Sequence, residues 1–83
     1  MPDKYELLYF MHDRDGEELS APEVAEILGS HPNAIRTQLN RLWTDEMVGR
    51  RRATGREGRP AYHYKISAQG KKRVLWINSQ RSS

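Results

Sequence analysis

Asn33, Arg36, Thr37, Gln38, Asn40 and Arg41 fall in one short stretch, and every one carries a side chain able to hydrogen-bond a nucleobase edge. Arginine offers guanine two parallel donors, while asparagine or glutamine offers adenine a donor and an acceptor together. At helical spacing Asn33, Ala34, Thr37, Asn40 and Arg41 lie to one side, flanked by Arg36 and Gln38. Ile35, Leu39 and Leu42 form the opposite stripe, with Trp43 beside Leu39. Ordinary exposed helix residues are the plain alternative. Against it, the polar side carries no acid before Asp45, which suits a polyanionic ligand.

A second group of residues follows at once. Arg50, Arg51 and Arg52 are consecutive, and Arg56 and Arg59 flank Glu57 in a turn-rich segment, 55–60. Strand side chains alternate between faces, so Arg50 and Arg52 share one face and Arg51 takes the other. Phosphate contact is the chemistry these residues offer. The competing role is to keep an edge strand from pairing with another chain. Lys71, Lys72 and Arg73 read as a solvated helix face.

Catalysis and metal binding find no such support. His12, His31 and His63 are scattered and no cysteine is present, so neither a metal-ligand spacing nor a thiol nucleophile arises. No serine–acid pair accompanies a histidine. The expectation is a protein without catalytic residues, metal or cofactor, and with no small-molecule substrate.

These residues need elements to hold them. Asp3 caps a first helix to about His12, with Leu7, Leu8, Phe10 and Met11 at helical spacing and Tyr5 and Tyr9 alongside. Residues 13–16 form a turn, and Glu18 and Leu19 suggest a brief strand. Ser20 and Glu23 form a capping box with Pro22 in the first turn. Val24, Ala25, Ile27 and Leu28 are the expected buried face of this second helix, and Gly29 ends it. Pro32 opens the third helix, which runs to about residue 45. Strands are expected over 48–54 and 61–66, joined by the arginine-bearing loop. Ser67 caps a last helix, roughly 68–79.

Length allows one domain, 1–83, and an apolar content of 36% gives it a small core. Charge is lopsided. Residues 1–30 hold eight acids against Lys4 and Arg14 (8 − 2, a net −6), and residues 31–83 hold twelve bases against three acids (12 − 3, a net +9). A polyanion-facing side and an opposite side follow. No apolar run approaches the ~20 residues of a membrane span, and no signal peptide opens the chain, so a cytoplasmic, nucleoid-associated protein is expected.

The run AEILGSHPNAIRTQLNRLWTDEMV followed by RRRATGREGRPAYHYKIS resembles winged helix-turn-helix transcription regulators of the MarR, ArsR and PadR type, and compact archaeal and phage repressors. The resemblance covers about residues 4–77. It implies an α+β fold: a three-helix core, a β-hairpin wing and a C-terminal helix. It implies that Asn33, Arg36, Thr37, Gln38, Asn40 and Arg41 face a DNA major groove, that Arg56 and Arg59 stand at the wing tip, and that Arg50 and Arg52 contact backbone or minor groove. The function implied is sequence-specific binding of double-stranded DNA, as a repressor. The chain departs from the pattern in three ways. Ser30 and His31 stand where an apolar residue and a Ser or Thr cap are usual. Glu46 stands where glycine is common, and no effector module is expected.

Val74, Leu75, Trp76 and Ile77 surround the last helix, more than one face can bury. Val74 and Ile77 suit the core. Leu75 and Trp76, with Tyr5 and Tyr9, are the expected interface of a homodimer. Two other functions compete. A winged-helix module binding only protein would usually carry acidic or apolar groups on the third helix. A non-specific nucleic-acid binder would stack bases on Tyr62 and Tyr64.

Overall fold

The computed structural model describes residues 3–54, 58 and 60–81. The elements run α1 (Lys4–Asp13), β1 (Leu19–Ser20), α2 (Ala21–Leu28), α3 (Pro32–Thr44), β2 (Val48–Thr54), β3 (Pro60–Ile66) and α4 (Ala68–Arg81). This is an α+β arrangement of four helices and one antiparallel sheet, with β3 between β1 and β2. The chain loop between the long strands carries Arg56 and Arg59, which lie outside the described residues.

Local chemistry sets the helix ends. The Asp3 carboxylate accepts the Glu6 N–H at 2.8 Å, starting α1. Ser20 and Glu23 form the reciprocal box at the head of α2, a cap worth ~1 kcal/mol. Gly29 closes α2 with φ 66°, a conformation glycine adopts without a Cβ clash. The cap of α3 is His31, whose Nδ1 accepts the Asn33 N–H at 3.2 Å. The imidazole thus does the work of the missing Ser or Thr. Asp45 then ends α3, and Glu46 turns the chain at φ 64°.

One apolar cluster joins the elements. Leu7, Leu8 and Met11 of α1 meet Ile35, Leu39 and Leu42 of α3, with Val48, Tyr64, Ile66 and Val74 closing the far side. The expected stripe on α3 is therefore its buried face. On α2 the buried residues are Ala21, Val24 and Ala25, with Leu28 packed at the edge. Ile27, expected among them, is exposed. At 100° per residue it lies well to one side of the line through Ala21, Val24, Ala25 and Leu28. The brief strand falls at Leu19–Ser20, one residue later than expected, because Leu19 pairs with Tyr64 and fills the core. The last helix extends to Arg81.

Register fixes the faces of the hairpin. Val48 opposes Ile66, Arg50 opposes Tyr64 and Arg52 opposes Tyr62. These six residues share the face turned to α3, and Arg51 and His63 share the other. Among the described residues no helix is long and apolar enough to cross a membrane.

Candidate nucleic-acid interface

The polar side of α3 stands clear of the core. Asn33, Arg36, Thr37, Asn40 and Arg41 are exposed, and Gln38 is half-buried at the margin. Three of these side chains, those of Asn33, Arg36 and Thr37, are already tied within the helix. Arg36 donates Nη1 to the Asn33 side-chain oxygen at 3.0 Å, and the Thr37 hydroxyl donates to the Asn33 backbone carbonyl at 3.0 Å. Asn33 therefore holds Arg36 across one turn and limits its rotamers.

Next to this strip lies a cleft of about 370 Å³, lined by Ala21 and Pro22 at the head of α2, Arg36 and Asn40 of α3, and Arg50, Tyr62 and Tyr64 of the hairpin. The cleft brings residues from both halves of the sequence pattern to one surface. Arg50 lies within it, and Arg52 lies further out on the same hairpin face.

Arg50 is the best-connected cation on this surface. Its guanidinium carbon lies 3.5 Å from the Trp43 ring centroid and 4.2 Å from that of Tyr62, well inside the range of a cation–π attraction. Its Nη1 donates to the Asn40 side-chain oxygen at 3.2 Å. The hydroxyl of buried Tyr64 donates to that same oxygen at 2.9 Å. Trp43, expected beside Leu39 on the buried stripe, is instead 41% exposed and forms a shelf for Arg50. Neither that shelf nor the Asn40 junction was expected. The alternation of β3, which puts Tyr62 and Tyr64 on one face with Arg50, was the signal available. Burial of Tyr64 also removes one of the two tyrosines a base-stacking sheet would use.

Ion pairing divides the cations into two sets. Arg51 pairs with Glu18 on the outer sheet face. Lys71 meets Asp15 at 3.0 Å, Lys4 meets Asp45 at 3.3 Å and Arg14 meets Glu17 at 3.6 Å. Among the described residues none of Arg36, Arg41, Arg50 and Arg52 has a carboxylate within salt-bridge distance. The acids of the first thirty residues thus neutralise cations away from α3, and the α3 strip keeps its positive charge.

The expected dimer residues divide as well. Leu75 and Trp76 are 61% and 56% exposed, and Tyr5 is 50% exposed. Tyr9 packs half-buried against the core and offers a partner less. Among the described residues no three His, Asp or Glu side chains gather as a metal site requires. Set against protein-family models and curated proteins, the chain matches none.

Proposed function

We propose that this protein is a winged helix-turn-helix regulator that binds double-stranded DNA in a sequence-specific way and acts as a repressor by occupying its site. The single observation that carries this reading is the set of Arg36, Arg41, Arg50 and Arg52, gathered about one polar helix side with no carboxylate partner among the described residues. In this reading α3 is the recognition helix and the β2–β3 hairpin is the wing. The exposed amides and guanidinium groups of α3 meet base edges, and Arg52 with the loop arginines Arg56 and Arg59 meets phosphates. A second copy of the chain is the further partner, docked through Tyr5, Leu75 and Trp76.

Titration of a fluorescent duplex by anisotropy tests the reading. Three neutralised phosphates give a salt slope near −2.7, so affinity should fall roughly 40-fold between about 50 and about 200 mM salt. Absence of binding at the lower salt, or binding indifferent to salt, rejects it.

A further inference from the structure

We propose that Arg50 is a positioning residue, the bolt of a latch that sets the hairpin against α3, rather than a phosphate contact. Two hydrogen bonds meet at one atom, and two ring contacts lie beside them. Arg50 of β2 and Tyr64 of β3 both donate to the Asn40 side-chain oxygen on α3, at 3.2 and 2.9 Å. The Arg50 guanidinium also lies on Trp43 of α3 and on Tyr62 of β3. A carbonyl oxygen has two lone pairs, and both are occupied here. The apolar packing below, through Val48, Ile66 and Leu39, resists separation of hairpin and helix but is not directional. The planar guanidinium supplies direction, because its fork and its face must both be satisfied by residues of different elements.

Lysine separates the two roles. It keeps the charge of Arg50 but has neither the fork nor the flat face. A phosphate contact survives Arg50→Lys and a latch does not. The local half of the inference stands on the free protein. Its consequence for affinity rests on the duplex-DNA reading.

The test uses Trp43 as the reporter in a Trp76→Phe background, which leaves it the only tryptophan. Asn40→Ala and Arg50→Lys should each alter Trp43 emission in the free protein, and the double variant should add little. In duplex titrations Arg50→Lys should bind about tenfold more weakly at an unchanged salt slope, equivalent to ~1.4 kcal/mol. Arg51→Lys, on the outer face, should bind as the parent does. Trp43 emission indifferent to Asn40→Ala overturns the latch. Full duplex affinity in Arg50→Lys makes Arg50 a simple charge and overturns its positioning role. If the parent binds no duplex at all, the DNA reading fails, and the emission cycle alone upholds or rejects the latch.

Discussion

The Ser67 hydroxyl donates to the Glu46 backbone carbonyl at 2.7 Å, tying the exit of α3 to the head of α4. The same hydroxyl accepts the Gly70 N–H at 3.0 Å, and Ser67 donates its own N–H to the Met47 carbonyl at 3.0 Å. Residues 46 and 47 are therefore held on the carbonyl side while Glu46 sits at φ 64°. A left-handed backbone costs a residue with a Cβ roughly 1 kcal/mol. Glu46→Gly should relieve it and raise the unfolding free energy by up to ~1 kcal/mol over Glu46→Ala, which loses the same carboxylate without relieving the backbone. Urea midpoints of the two variants compare them directly, and equal midpoints would mean that the turn is unstrained.

Gly70 answers to a different constraint. A Cβ built there would stand 2.0 Å from the Met47 carbonyl oxygen and 2.9 Å from the Ile66 side chain. The carbonyl cannot swing aside without losing the Ser67 N–H. Gly70→Ala should destabilise the protein by about 2–3 kcal/mol, the upper range for overpacking, although alanine is the better helix former. A variant as stable as the parent would show that α4 can shift away from β3.

The difference between Glu46 and Gly70 shows what sequence reading reaches. Helix starts at Asp3, Ser20 and Pro32 were legible because capping is local chemistry. The faces of Arg50, Arg51 and Arg52 were legible because strand alternation is a strict rule. Trp43 was misplaced because a helical period puts it beside Leu39, and nothing local reports an arginine ten residues beyond the Asn40 it will bond. The pairing of Glu18 with Arg51 depends on β3 lying between β2 and β1, which Glu18 precedes, a long-range fact. The single helices and strands followed from capping and periodicity and the α+β fold from the resemblance, whereas the α3–hairpin junction depends on tertiary distances.

Position 40 should show an unusual base preference. With its oxygen occupied by Arg50 and Tyr64, Asn40 offers a base edge only its amide N–H donors. Adenine needs an acceptor as well for the two-bond pairing, whereas guanine and thymine present acceptors in the major groove. Selection of bound duplexes from random DNA, run on the parent and on Asn40→Ala, should show guanine or thymine at the base pair whose preference the substitution erases. Adenine there would mean that the Asn40 amide turns over on binding.

Arginines on opposite faces of β2 should behave differently. Arg52 shares the face of Arg50, whereas Arg51 pairs with Glu18 on the outer face. Arg52→Ala should weaken all duplexes alike and lower the salt slope by about 1, while Arg51→Ala leaves both unchanged. Arg41→Ala should instead relax preference at one base pair, costing ~1–3 kcal/mol there. Competition titrations at two salt concentrations separate the three, and a uniform loss from Arg41→Ala would move that residue to the phosphates.

The last prediction concerns the second copy. Leu75 and Trp76 lie on the outside of α4, and Tyr5 is exposed on α1, which packs beside it. Large apolar side chains left outside a small core are the natural seed of an interface. Arg73 lies 5.5 Å from the Trp76 ring centroid and covers it only in part. A two-fold dimer through this surface would carry two copies of α3 and call for a palindromic site with half-sites ~34 Å apart, or a multiple of that. Trp76→Glu places a charge on that surface without touching α3 or the hairpin. It should yield a monomer in sedimentation equilibrium, with a circular dichroism spectrum like the parent's. Binding to a palindromic duplex should weaken sharply, because two linked contacts become one, while binding to an isolated half-site should not change. A parent that sediments as a monomer at micromolar concentration, with a Trp76→Glu variant of equal affinity for the palindrome, would make Trp76 ordinary surface and each site the business of one chain.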